Sequence, residues 1–193
     1  MSSLKADFEE LRERMRHGRE PGHASFEPIY YLVFPPEKIL QVKRETPAWQ
    51  AKLHQEAWDV HTFSIAQNLW DVLEDDPLWP FCLTQDRAAP LDWKRTNQAL
   101  SDIAVGGQAL LKRLEDKLKP LEGRREALLL VTDLEALHPF LRVGVIESQL
   151  QGHFHIPTIF FYPGVRTGKS RLKFLGFYPE DGNYRSVHVG GNY

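Results

Sequence analysis

Residues 156–186 read IPTIFFYPGVRTGKSRLKFLGFYPEDGNYRS, and this stretch decides the fold of the chain. An apolar, strand-like run opens it, and RLKF at 171–174 alternates polar and apolar residues. Alternation is typical of a strand with one face in water. We therefore predict a fourth strand at 155–162, a fifth at 171–178 and a C-terminal β-hairpin between them, with glycines in its turn.

Residues 164–170, GVRTGKS, look at first sight like a phosphate-binding loop. Such a loop has four residues between its glycines and opens a helix, whereas three residues separate Gly164 from Gly168 and a strand follows. Pro163 stands where the first glycine would be, and proline has no N–H to offer a phosphate. Without a helix N-terminus the anion site is missing. We predict that Gly164 and Gly168 instead shape the turn of the hairpin.

Three further strands are predicted at 29–34, 60–63 and 127–132, where short runs of β-forming, mostly apolar residues occur. Helical patterns separate them, which indicates an α/β fold: a mainly parallel sheet of about five short strands with helices on both faces. The carboxyl ends of the strands then share one rim, where ligands of such sheets bind. On that rim we expect Pro35, Pro36, Ser64, Asp133, Pro163 and Gly164.

The N-terminal residues 4–17 form an amphipathic pattern, with Leu4, Phe8, Leu11 and Met15 at helical spacing. The apolar stripe of this predicted helix either packs on the rest of the chain or docks a partner protein. We predict an N-terminal helix and linker at 1–28 and a single α/β domain at 29–193.

Several local features of the helical regions are predicted. Pro47 should break or restart a helix, and 77–91 should be an irregular insertion with one helical turn at most. The region 92–118 should kink or divide at the glycine pair 106–107. Pro139 should begin another helix after the third strand.

Three polar or aromatic side chains have predicted structural roles. Ser64 should cap a helix that buries Trp70 on its apolar side. Asp133, at the end of the third strand, resembles the acidic residue that holds magnesium in nucleotide hydrolases, but helix capping is the simpler interpretation.

The composition does not indicate a metal, redox or membrane protein. The net charge is −2, and Cys82 is the sole cysteine, which we expect to be a buried, inert thiol. His153 and His155 would share a strand face, but no further ligand is near them. No apolar run is long enough to span a bilayer and no signal peptide is seen, so we expect a cytoplasmic protein. We predict no catalytic residue, no metal and no cofactor, and we favour a non-enzymatic protein.

The hairpin carries a basic patch with aromatic residues beyond it. It could meet an acidic surface of a partner protein, contact nucleic acid, or simply be solvated. The candidate contact residues are Arg166, Lys169, Arg171, Lys173, Tyr184 and Arg185.

Four segments of the chain resemble the BrxB family, component B of the BREX bacteriophage-exclusion system. They are LVFPP at 32–36, the strand–helix unit at 60–73, residues 130–152 with HPFLR, and residues 156–185 with FYPG and NYR. Together they lie within 29–186, and the FYPG and NYR motifs are the most specific part.

The resemblance implies a bacterial phage-defence protein that acts beside other BREX components. These include a phosphatase-superfamily protein called PglZ, a DNA methyltransferase and a large ATPase. The resemblance implies no catalytic residues. We therefore expect a non-enzymatic subunit that binds a BREX partner, foremost PglZ. Two alternatives stay open: a degenerate nucleotide-binding protein that uses the rim near Pro36, Asp133 and Gly164, and a nucleic-acid-binding module built on hairpin 164–173.

Overall fold

The structure, a computed structural model, describes residues 3–18, 27–106, 108–168, 171–182 and 186–191. In this part of the chain a six-stranded sheet has the order β2-β3-β4-β1-β6, and its neighbours along that path are parallel. β5 pairs with β4 in the antiparallel sense. The strands are β1 Ile29–Phe34, β2 Asp59–Ser64, β3 Ala127–Thr132, β4 Thr158–Thr167, β5 Arg171–Phe174 and β6 Val187–Gly190.

Helices connect the parallel strands. The α-helices are α1 Leu4–Gly18, α2 Ile39–Gln55, α3 Ile65–Asp75, α4 Trp79–Ala88, α5 Trp93–Gly106, α6 Ala109–Leu118 and α7 Val143–Gln149. Short 3-10 helices lie at Pro36–Lys38, Lys119–Leu121 and Leu134–Leu137.

The central strands β1 and β3 and most of β4 are buried on both faces, as their apolar sequences predict, whereas the edge strand β2 is mostly half-buried. Successive side chains of β1 alternate between two cores: Tyr30 and Leu32 pack with α1 and α2, whereas Tyr31 and Val33 pack with the core that contains α3, α5, α6 and α7. All six residues of β1 are buried. The predicted class, an α/β fold with a mainly parallel sheet and helices on both faces, is confirmed.

Helix α1 packs on this sheet through its apolar stripe. Its N-terminus is capped by Ser3, whose hydroxyl accepts a hydrogen bond from the Ala6 N–H. Phe8 and Leu11 are at most 1% exposed, and the Phe8 ring stacks on Trp49 with centroids 4.6 Å apart. The stripe therefore contacts the chain's own core, while the division into 1–28 and 29–193 stays a prediction.

The predicted break at Pro47 is wrong, because α2 is continuous through it. Proline removes one helical hydrogen bond, but Val42 and Trp49 are buried on either side and anchor both halves of the helix. The Thr46 hydroxyl donates a hydrogen bond to the Val42 carbonyl in the turn before the proline.

Two predictions between 65 and 91 are also wrong. Residues 79–88 form the ten-residue helix α4 rather than an irregular insertion. Trp70 is 49% exposed, and Val72 is buried instead. In α4 most apolar side chains remain in water, so no buried apolar stripe marks this helix in the sequence. Trp70 instead packs edge-to-face against Trp79 of α4, with ring centroids 5.5 Å apart. Ser64 does cap α3, because its hydroxyl accepts the Gln67 N–H.

The later helices differ from prediction mainly at their ends. The break near 106–107 is confirmed, since α5 ends at Gly106 and α6 begins at Ala109; position 107 lies outside the described residues. Helix α7 begins at Val143, not at Pro139, which lies in a turn with a cis peptide bond to His138. β6 was not predicted; its four residues are too few to stand out as a strand.

Candidate interaction surface at the hairpin and the strand rim

The predicted hairpin is confirmed by the antiparallel pairing of β4 and β5. The predicted bounds of its strands are wrong, because β4 spans 158–167 rather than 155–162 and β5 ends at Phe174 rather than at residue 178. Gly168 has φ +69°, which suits its place in the turn. Gly164 has a different role from the predicted one, because it lies within β4, opposite Phe174. A Cβ there would overlap the carbonyl oxygen of Lys173 and lie 2.6 Å from the Tyr162 ring, so glycine lets the two strands approach.

The register divides the predicted basic patch between two faces of the hairpin. Directly paired residues share a face, and faces alternate along each strand. Val165 pairs with Lys173, and Arg171 lies two residues from Lys173, so these three side chains lie on one face, the outer face. Arg166 pairs with the buried Leu172 and lies on the opposite face.

Arg166 is half-buried and connects the hairpin to β6. Its guanidinium donates a hydrogen bond to the His188 carbonyl at 3.4 Å. Burial of the imidazole, aided by the positive charge of Arg166, lowers the pKa of His188 to about 4. Arg166 is therefore part of the support behind the outer face rather than a member of it.

Of the other candidate residues, Arg171 and Lys173 lie in the described part of the chain. Arg171 is exposed and its guanidinium lies 3.5 Å from the Glu180 carboxylate, while Lys173 is half-buried. Lys169, Tyr184 and Arg185 lie outside the described residues. The structure thus brings Arg171 and Lys173 together and separates Arg166 from them.

An open depression of about 490 Å³ lies at the rim, beside the ends of β1 and β6 and residues 164–165 of β4. Among the described residues that line this depression, the charged one is Glu37. A carboxylate would repel the phosphates of a nucleotide. The described lining residues are Pro35, Pro36, Glu37, Gly164, Val165, Leu175, Gly176, Phe177 and Gly191.

Asp133 lies elsewhere on the rim, in an ion pair. Lys43 of α2 places its ammonium 2.7 Å from the Asp133 carboxylate and 2.7 Å from that of Glu135. The hydroxyls of Ser64 and Thr132 also donate to Asp133, at 2.7 and 2.9 Å. The prediction that Asp133 caps a helix is wrong: it has φ +59° and makes no side-chain cap.

These contacts set the pKa values of the pair. Burial pushes the pKa of Asp133 upward, but hydrogen bonds from Lys43, Ser64 and Thr132 outweigh it, so the pKa lies below its ordinary value. Burial pushes the pKa of Lys43 downward, but hydrogen bonds and charge from Asp133 and Glu135 raise it above the ordinary value. Both groups are charged at neutral pH.

Sequence reasoning missed Lys43 as the partner of Asp133. The two residues are ninety positions apart, and Lys43 sits in a helix with other basic residues, so no local signal distinguishes it. In this structure the Asp133 carboxylate is therefore part of an ion pair that links α2 to the end of β3.

The histidines do not lie on a strand together as expected. His153 and His155 precede β4, and their rings lie 3.5 Å from the Glu115 carboxylate and 3.8 Å from that of Glu122. Within the ranges that the structure describes, no group of three histidine, cysteine or acidic side chains could hold a metal ion. None of the helices in the described part of the chain is both long and apolar enough to cross a bilayer.

The chain was compared with curated proteins, solved structures and protein families. Searches of curated proteins and of solved structures found no significant similarity. A family model described as BREX protein BrxB matches residues 61–189, about two thirds of the chain. The matched segment includes the hairpin and the strands β2 to β6, apart from the first residues of β2 and the last of β6. The chain therefore belongs to the BrxB family, whose members are components of the BREX systems of phage defence.

Proposed function

We propose that this protein is a non-enzymatic BREX subunit that acts in the bacterial cytoplasm by binding PglZ, and that the hairpin and its tail contact the partner. The observation that carries the proposal is the outer face of the hairpin. There Val165 is 40% exposed beside the basic residues Arg171 and Lys173, and Phe177, just after β5, is 62% exposed. The proposed contact residues of the described hairpin are Arg171 and Lys173, and Lys169, Tyr184 and Arg185 stay predicted contacts. Arg166, on the opposite face, supports the surface through its hydrogen bond to the His188 carbonyl.

Apolar side chains within a polar rim are the usual anatomy of a protein interface. The outer face is also held from behind, because Leu172 and Phe174 of the same hairpin are buried in the core. A surface that is already ordered loses little conformational entropy when a partner binds. This favours a docking role for the hairpin.

The exposed ion pair between Arg171 and Glu180 does not oppose such a role. A surface pair of this kind contributes about 0–1 kcal/mol, so a carboxylate of a partner can replace Glu180 at little cost. An acidic patch on PglZ is the expected complement of Arg171 and Lys173, and it would also speed the encounter of the two proteins.

The test is co-elution of tagged protein with PglZ on size exclusion at micromolar concentrations. The double reversal Arg171→Glu plus Lys173→Glu should weaken binding at least tenfold. A matched control is Lys112→Glu plus Arg125→Glu, two exposed positions outside the hairpin that change the net charge equally. Separate elution of the unmodified proteins, or equal loss in both double variants, would remove the support for this surface.

The same variants address the nucleic-acid alternative. A DNA-binding hairpin should retain DNA with a steep dependence on salt, and the slope should fall when Arg171 and Lys173 are reversed. We expect no such binding at physiological salt. Calorimetry with ATP and magnesium addresses the nucleotide alternative, for which we expect no binding heat.

A further inference from the structure

A groove of about 330 Å³ runs between α4 and α5, separate from the hairpin. One helical face of α4 and one of α5 form its walls, because the lining positions repeat every three or four residues on both. Leu78, Phe81 and Cys82 line the α4 side, and Ala99 and Ile103 line the α5 side. The floor is therefore mainly apolar.

Large exposed apolar side chains are concentrated in the segment of the chain that forms this groove, and two of them, Leu78 and Phe81, line it. Nine large hydrophobic side chains are exposed in the described part of the chain, and five of them lie between 78 and 93. Concentrated exposed apolar surface is typical of a protein interaction site, whereas single exposed residues are ordinary. The five are Leu78 (60% exposed), Phe81 (59%), Leu83 (38%), Leu91 (91%) and Trp93 (69%).

The charges at the edges of the groove are mostly negative. Among the described residues that line it, Asp76, Asp92 and Asp102 are acidic and Arg95 is basic. Over residues 70–106 the sequence has seven acidic and three basic side chains. The groove therefore combines an apolar floor with an acidic edge, which is the opposite charge to that of the hairpin.

We propose that this groove binds an amphipathic helix of a partner protein, with an apolar face and a basic flank. Helices dock in grooves through apolar residues at positions i, i+3, i+4 and i+7, and two helical walls offer a complementary surface. Lysines or arginines on the flank would meet Asp76, Asp92 and Asp102.

A second copy of this chain fits the groove less well than a basic helix does. A symmetric dimer through this surface would bring two acidic edges together, and like charges that face each other across an interface oppose binding. The groove shares no residue with the hairpin, so the inference is independent of how PglZ binds. The two surfaces would allow one subunit to hold two partners of opposite charge.

The probe is a synthetic peptide of 18 residues, labelled for fluorescence anisotropy. Its leucines recur every three or four residues so that they form one face of a helix, and lysines occupy the other positions. Its twin carries glutamate at each lysine position. The full-length protein should bind the lysine peptide at least tenfold more tightly than the glutamate twin. Phe81→Gln should weaken binding of the lysine peptide at least tenfold, and Asp92→Asn plus Asp102→Asn should weaken it severalfold, most at low salt.

Leu40→Gln is the matched control, because Leu40 is 72% exposed on α2, away from the groove, and should leave the affinity unchanged. Cys82 gives a second readout. It is the sole cysteine, is half-buried rather than fully buried as predicted, and lines the groove. Saturating lysine peptide should slow alkylation of Cys82 by N-ethylmaleimide at least fivefold.

Three results would overturn the proposal. The first is equal affinity for the two peptides, and the second is equal loss of affinity in Phe81→Gln and Leu40→Gln. The third is a dimer of the unmodified protein in sedimentation that Phe81→Gln dissociates, which would identify a second copy as the occupant. Reversal of Arg171 and Lys173 should leave peptide binding intact, so this proposal and the hairpin proposal can fail separately.

Discussion

Truncation of Phe8 tests whether α1 is a structural part of the fold. The Phe8 side chain is 1% exposed and its ring stacks on Trp49 at 4.6 Å with an interplanar angle of 11°. A buried aromatic side chain removes roughly 150–250 Å² from water, which is worth about 4–6 kcal/mol at ~25 cal/mol per Å². Alanine keeps part of this area and the site relaxes partly, so Phe8→Ala should lower the free energy of unfolding by about 3–5 kcal/mol.

Two further variants of α1 separate the contributions. Phe8→Leu keeps most of the buried area and loses the stacking on Trp49, so it should cost about 0.5–1.5 kcal/mol for the lost ring pair, plus any repacking. Lys5→Ala changes an exposed position of the same helix and should lie within about 0.5 kcal/mol of the unmodified protein.

The assay is urea unfolding followed by tryptophan fluorescence. The chain has five tryptophans, and Trp49 reports directly on the contact with Phe8. If the free energy of unfolding of Phe8→Ala lies within about 0.5 kcal/mol of that of Lys5→Ala, then the burial of Phe8 in α1 contributes nothing to stability. The alternative in which its apolar stripe serves a partner would then regain support.

Two other predictions concern the hairpin and the rim. Gly164→Ala should destabilise the protein by about 1–3 kcal/mol in urea unfolding, because its Cβ would overlap the Lys173 carbonyl, whereas Gly182→Ala, with ordinary space around it, should change little. The folded-state pKa of Asp133 is lowered, so its stabilisation is complete above the unfolded pKa of about 3.9 and is lost as the pH falls through the folded value. Asp133→Asn should therefore lower the free energy of unfolding by about 1.5–3 kcal/mol at pH 7 and by progressively less below pH 4. A loss that stayed constant from pH 7 to pH 3 would argue against the Lys43 ion pair as its source.

Much of the fold could be predicted because its strands are short, apolar and buried on both faces. The run at 127–132 and the run at 29–34 coincide with β3 and β1. The predictions were wrong where the burial of side chains did not follow the apolar pattern of the sequence. Pro47 lies inside α2 because contacts on both sides outweigh one lost hydrogen bond. Helix α4 was missed because it has no buried apolar stripe, since most of its apolar residues remain in water.

The candidate site was predictable only in part. Alternation at 171–174 placed Arg171 and Lys173 on one wet face, and the structure agrees. Arg166 was grouped with them because it is near in sequence, but the register places it opposite Leu172 on the other face. Register depends on the length of the turn, which composition does not specify.

By itself, the sequence determined the class of fold, the hairpin in place of a phosphate loop and the amphipathic N-terminal helix. Each of these depends on residues close together in the chain, where periodicity and proline or glycine act directly. Tertiary structure alone decided the strand order, the ion pair of Lys43 with Asp133 and the apolar groove between α4 and α5. These features depend on which distant surfaces meet and which stay in water, and that is decided by packing over the whole molecule.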